Sequence, residues 1–182
     1  MYGRPETSSA AALEGLTLPR KPNPASTHKK AVVLLADGSR VLGYLNPSGL
    51  GRTEAAELLS RDGEFQSVAL DKIKSIYFVK EFTEPFEPAR KSFFSRPKLD
   101  GLWVRLRFRD HDSLEGIVAN DLLDLLDHGV RLTPPDLNGN TLWLFIPRAA
   151  LAEIKVLGVV GIARRQPTRA ASSAQPKLFE DE

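Results

Sequence analysis

Residues 31–46, AVVLLADGSRVLGYLN, and residues 104–119, VRLRFRDHDSLEGIVA, decide how the chain folds. In the first, Val32 to Leu35 is an apolar run rich in β-branched residues, Asp37-Gly38 supplies a turn, and Val41, Leu42, Tyr44 and Leu45 resume the run. An Asp-Gly pair tolerates the positive φ that tight hairpin turns need, so the stretch reads as a β-hairpin. The second alternates, with Val104, Leu106 and Phe108 on one face and Arg105, Arg107 and Arg109 on the other. A period of two is that of a strand with one buried face.

The two stretches align without a gap at an offset of 73 residues, which matches Asp37 with Asp110, Val41 with Leu114 and Gly43 with Gly116. A glycine inside a strand marks a bulge, a bend or a close backbone approach, and its recurrence at one register predicts the same feature in both copies. A second matched block follows each hairpin. VALDKIKSIYF aligns with IPRAALAEIKV at an offset of 78, pairing Val68, Ile73, Ile76 and Phe78 with Ile146, Leu151, Ile154 and Val156. Each block reads as a strand, a one-turn connection and another strand, and two matched blocks in order indicate a duplicated unit.

Around these units the composition divides the 182 residues into five segments. Residues 1–27 and 163–182 carry proline, serine and alanine with few large apolar residues, and read as disordered tails that cannot bury enough surface to offset their ordering entropy. The second tail ends on Leu178-Phe179 and an acidic cluster, which solubilises the chain or carries a partner motif. Residues 28–82 form the first β unit and 101–162 the second. Within them a short helix is expected from Thr53 through Arg61, and another in NDLLDLLDHG, capped by Asn120 and ended by Gly129. On the latter, Asp121, Asp124 and Asp127 form an acidic face that reads as solvated, because helical backbone spreads the three carboxylates over two turns and calcium sites favour loops. Residues 83–100 are a proline-rich linker in which Arg90, Lys91, Arg96 and Lys98 interleave with Phe93 and Phe94. Its phenylalanines either pack on the flanking units while the charges stay solvated, or stack on bases while the cations meet phosphates.

Composition narrows the chemistry. With 42% hydrophobic and 26% charged residues and a net charge of +2 that no segment concentrates, the chain reads as globular and neither strongly acidic nor strongly basic. No run approaches the roughly 20 apolar residues of a membrane span and no signal-peptide pattern opens the sequence, so a cytoplasmic location away from membranes is expected. The absence of cysteine removes disulfides, thiolate chemistry and zinc-finger sites. His28, His111 and His128 sit near a tail, in a hairpin turn and in a loop, with no spacing that places two on one face. No catalytic residue, metal ligand or cofactor site is assigned, and the chain is read as not an enzyme.

The first hairpin, VVLLADGSRVLGYL, with its internal glycine and the following VALDKIKSIYF block, resembles the first motif of the Sm-like small barrels, over about 50 residues in each copy. That resemblance implies a strongly bent five-stranded barrel, assembly through edge strands, and RNA binding. Pro47-Ser48-Gly49 stands where the family's RNA-contacting Asp-x-x-Met-Asn stretch would fall, so the resemblance carries the fold and not the contacts. The second copy, with GLWVRLRFRD, the LTPPD turn and the IPRAAL block, also resembles uncharacterised bacterial signalling-associated proteins.

The expected fold is mostly β: two tandem small Sm-like or SH3-like barrels with short helices and disordered tails, packed on each other through the Phe93-Phe94 linker. The expected function is a non-catalytic macromolecular binding module, an adaptor or regulatory protein of a bacterial cytoplasm, with edge strands available for oligomer formation. The alternative is RNA or DNA binding through Arg90, Lys91, Phe93, Phe94, Arg96, Lys98, Arg105, Arg107 and Arg109.

Overall fold

The computed structural model describes residues 27–121, 123 and 128–161. It is mostly β, with ten strands in two antiparallel sheets. The first unit runs β1 (Lys29–Leu35), β2 (Arg40–Leu45), a 3-10 turn (Pro47–Gly49), β3 (Ala55–Ser60), β4 (Phe65–Ala69), a second 3-10 turn (Leu70–Lys72) and β5 (Ile73–Val79). The second repeats it as β6 (Gly101–Phe108), β7 (Ser113–Val118), β8 (Gly129–Leu132), β9 (Thr141–Pro147), a 3-10 turn (Arg148–Ala150) and β10 (Leu151–Val160). Pairing registers repeat with the sequence offsets. Val33 faces Val41 across the first hairpin and Leu106 faces Leu114 across the second. Val33 also faces Ile76 of β5, as Leu106 faces Ile154 of β10.

The units are not two closed barrels. One sheet has seven strands in the order β4-β3-β2-β1-β5-β9-β8, and the other has three in the order β10-β6-β7. The cause is the β5–β9 ladder, Ile76 to Phe145, Tyr77 to Leu144 and Phe78 to Trp143, which draws β8 and β9 into the sheet of the first unit. Between β7 and β8 only the Ile117–Thr133 bridge remains, held by reciprocal backbone hydrogen bonds of 2.9 and 2.8 Å. The β5–β9 ladder, rather than the Phe93-Phe94 linker, joins the sheets of the two units.

Two cores follow. Ala31, Val33, Leu58, Ile73, Ile76 and Phe78 fill the first unit. Val32, Tyr77 and Val79 project from the other side of the same strands and pack with Val104, Leu106, Leu114, Leu132, Leu144 and Ile146 under the three-stranded sheet. β1 and β5 therefore bury both faces over Ala31–Val33 and Ile76–Val79, and those segments are continuous apolar runs instead of alternating ones. β6 buries one face and presents Arg105 and Arg107 on the other, so it alternates.

The helix expected from Thr53 through Arg61 is β3. Alanine, leucine and glutamate favour a helix, but tertiary pairing overrides that preference. β3 hydrogen-bonds to β2 and β4, and extended backbone lets Ala56 and Leu58 reach the core with Glu57 exposed between them. The second expected helix falls largely on residues 122 and 124–127, outside the described residues, as do most of both tails. The two strand glycines sit at close approaches. A Cβ on Gly43 would lie 2.5 Å from the Leu59 carbonyl oxygen, and one on Gly116 would lie 2.7 Å from Leu132 Cδ2 and nearer still to Cγ and Cδ1. At the turns, Gly38 takes φ of 88° and His111, its counterpart 73 residues on, takes 68°. No helix among the described residues is long and apolar enough to cross a membrane.

Candidate binding surface at the strap between the units

The linker is an irregular strap, and its phenylalanines, with Phe82 just before it, divide into anchors and one outlier. Phe82 meets Tyr44 edge-on at 5.6 Å and Phe86 meets Tyr77 at 5.1 Å, and both pack on the second core with Ala89. Phe93 meets Trp103 edge-on at 6.0 Å on the outer face of the three-stranded sheet. Phe94 is 86% exposed, and the guanidinium of Arg90 lies 4.2 Å over its ring. Of the two expected destinations for these rings, Phe93 takes the packed one and Phe94 remains available.

Glu115 fixes the strap. Its register opposite Arg105 puts the two side chains on one face of the sheet, where Arg105 Nε and Nη2 donate to Glu115 Oε1 at 3.1 and 2.7 Å. Glu115 Oε2 accepts from Trp103 Nε1 and from the Phe93 backbone N–H, each at 3.3 Å. The Glu115 N–H in turn donates to the Lys91 carbonyl at 2.7 Å. Farther along, Arg96 Nη2 donates to the Val159 carbonyl at 2.9 Å, so the strap crosses from β7 to β10. Glu115 was not among the expected site residues, because sequence alone does not reveal the cross-strand register.

Of the nine expected residues, Arg90, Phe93, Phe94, Arg96 and Lys98 line one groove, and Lys91, Arg105, Arg107 and Arg109 do not. Arg105 is paired with Glu115, Arg107 with Glu153 at 3.0 Å, and Lys91 with Asp112 at 2.6 Å, while Arg109 Nε donates to the Ala149 carbonyl at 2.8 Å. Arg90, Arg96 and Lys98 have no carboxylate partner among the described residues. Together with Phe94, Pro97 and Leu137 they line a groove of about 290 Å³ between the strap and the turn after β8. Leu137, which is 52% exposed, was also missed, because only the folded turn carries it to the strap.

A charged cluster closes the junction beside this surface. Lys74 Nζ donates to Asp110 Oδ2 at 2.5 Å and to Asp112 Oδ2 at 3.2 Å, linking β5 to the β6–β7 turn, and Lys91 brings in the strap. The Lys74 hydrogen bond holds the Asp110 carboxyl below its ordinary range. At Asp112 burial pushes the other way, but hydrogen bonds from Lys91, the Ser113 amide and Lys74 outweigh it and the net direction is down. Burial likewise opposes the charge on Lys74, and the two carboxylates overcome it and raise the ammonium. A larger open cleft of about 860 Å³ lies between the 3-10 turns at Leu70–Lys72 and Arg148–Ala150, with Glu54, Asp71, His128 and Arg148 on its walls. Among the described residues no group of three or more His, Asp or Glu side chains is placed to hold a metal ion.

Fold and surface thus define a mostly β protein of two repeated units, joined through a shared sheet and crossed by a basic, aromatic strap. The chain belongs to DUF6982, a family of unknown function whose model matches residues 27–158, the two units and the strap together. No curated protein and no solved structure matches it.

Proposed function

We propose that the chain is a non-catalytic protein-binding module, an adaptor or regulatory protein of a bacterial cytoplasm, built from two Sm-like or SH3-like units that have merged their sheets. The observation that carries this reading is Phe94, held 86% exposed by a strap whose neighbouring residues are anchored, beside the exposed Leu137 and rimmed by Arg90, Arg96 and Lys98. An exposed apolar patch with a polar rim marks an interaction surface. The ligand that complements it is a protein segment with one apolar anchor side chain flanked by carboxylates.

Single-stranded nucleic acid is the second reading, since a base can stack on Phe94 and phosphates can meet the three cations. It draws less support. Arg105, Arg107 and Lys91 already hold carboxylates, which leaves three cations at the groove for a polyanion. The test is to isolate the full chain from cells with and without nuclease, at low and moderate salt, alongside the Phe94→Ser and Leu137→Ser variants. A defined protein that survives nuclease and is lost from both variants supports the module. Nucleic acid that departs steeply with salt replaces it with the second reading.

A further inference from the structure

β5 and β10 are the same strand of the two units, yet their outer edges differ. On β5, Ile76 and Phe78 are completely buried, because β9 pairs there with Phe145 opposite Ile76 and Trp143 opposite Phe78. The Phe78 and Trp143 rings stack with centroids 3.8 Å apart. The corresponding residues of β10, 78 positions on, are Ile154 and Val156. They stand on the core-facing side, opposite the fully buried Leu106 and Val104, but are 36% and 53% exposed, since no strand of the described residues covers that edge. Among the described residues that edge has one hydrogen bond from elsewhere, the Arg96 cap on the Val159 carbonyl, beyond the segment in question.

The opposite end of the molecule holds the complement. β4 is the counterpart of β9 and, among the described residues, pairs only with β3, leaving its other edge open there. The residue equivalent to Trp143 is Phe65, which is 75% exposed. The chain therefore presents a β5-type edge without its β9-type strand at one end and a β9-type strand without its β5-type edge at the other. Open strand edges are templates for pairing with another chain, and β10 carries exposed apolar side chains along its edge.

We propose that the protein self-associates head to tail, with β4 of one copy adding to the free edge of β10 of the next in the register of the internal β5–β9 junction. That register places Phe65 of one copy opposite Val156 of the next, as Trp143 lies opposite Phe78, and sets Ser67 opposite Ile154. Burial of an aromatic ring against an apolar side chain adds to the ladder of backbone hydrogen bonds. The contact is heterologous, since the two surfaces come from opposite ends of the chain. Such contacts close into a ring or continue as a filament according to the rotation per step. This inference goes beyond the binding reading above, because it uses neither the strap nor its groove.

The test is the mass of the full chain in solution by sedimentation velocity over a range of concentrations, for the wild type and for Phe65→Glu and Val156→Lys. Both side chains are solvent-exposed in the single copy, so each variant is expected to keep the wild-type unfolding transition. The wild type is expected to form assemblies of more than two copies, and each variant alone to fall to the 20.1 kDa single chain. An equimolar mixture of the two retains one intact pair of edges, Phe65 of the Val156→Lys chain with Val156 of the Phe65→Glu chain, and should yield a species of two chains and nothing larger. Should either variant unfold, Ser67→Arg and Ile154→Lys repeat the design at the neighbouring pair. A wild type that stays single-chain at every concentration overturns the proposal. So do folded variants that assemble like the wild type, or a mixture that remains single-chain.

Discussion

Replacing Gly116 by alanine tests how closely the second unit is packed. The new methyl carbon would sit 2.7 Å from Leu132 Cδ2 and closer to Cγ and Cδ1, and Leu132 is completely buried with no solvent to retreat into. Forcing a methyl group into a filled core costs about 1–3 kcal/mol. Alanine returns about 0.4–1 kcal/mol by narrowing the unfolded ensemble. The expected net loss is roughly 0–2.6 kcal/mol, the difference between those two ranges. Leu132→Ala alone should cost about 2–5 kcal/mol through lost burial and the cavity it leaves. That cavity lies where the methyl group added at position 116 would go, so in the Leu132→Ala background Gly116→Ala should cost nothing or stabilise. The readout is urea unfolding followed by the fluorescence of the chain's two tryptophans, Trp103 and Trp143. The quantity of interest is the coupling term of the double-mutant cycle, expected near the full range of about 1–3 kcal/mol. A Gly116→Ala substitution that costs the same in both backgrounds would refute the reasoning. Gly43→Ala supplies the contrast: its methyl meets the Leu59 carbonyl oxygen as well as Leu58, so Leu58→Ala should not rescue it.

Two further outcomes follow from the polar contacts. Glu115→Ala removes the acceptor for Arg105, Trp103 and the Phe93 N–H, and should cost about 1.5–3 kcal/mol, the range for hydrogen bonds to a charged group. It should also free the strap, so that trypsin cuts after Arg90 or Lys91 far faster than in the wild type; equal cleavage rates would show that Glu115 does not hold it. Because Asp110 and Asp112 titrate below their ordinary range, the stability they contribute is present above the unfolded carboxylate pKa of about 3.9 and is lost as pH falls through their folded values. Lys74→Met should therefore be less stable than the wild type at about pH 7, with the gap closing as the solution is brought below about pH 3.9. A gap independent of pH in urea unfolding would rule out the cluster as its source.

The hairpins, the duplicated blocks and the glycine approaches were legible because each is a local signal: an Asp-Gly turn, a period of two, a repeated offset. Helix and strand were confused at β3 because its residues prefer a helix, and the strands on either side that decide the matter are not visible in its own sequence. Closure failed for the same reason at larger scale. Each unit contains the strands of a small barrel, but the sequence of β9 does not say whether it stays within its own unit or also joins β5 of the other. The candidate site was half legible. The cations and rings of residues 90–98 come together, whereas the neutralisation of Arg105 and Arg107 depends on Glu115 and Glu153 arriving across the strands.

What alignment of the copies does reveal, once the junction is known, is a mismatch between sequence and exposure. Ile76 and Ile154 are the same residue type at the same register, one completely buried and the other 36% exposed. An unpaired edge in a protein of ordinary solubility is usually blunted by charge, proline or a bulge. β10 does carry Glu153 and Lys155, and its pairing with β6 shifts between Leu151 and Glu153 and again between Val156 and Gly158. Those two charged residues lie opposite Arg107 and Arg105, on the face away from the core, and the shifts flank residues 153–156 rather than interrupting them. The core-facing side of that segment keeps the apolar residues Ile154 and Val156, matching a strand whose edge is covered. Single exposed apolar residues are common on protein surfaces and require no partner. Two at the positions that the other copy buries, with an exposed phenylalanine at the matching position of β4, form a pattern that chance exposure does not account for.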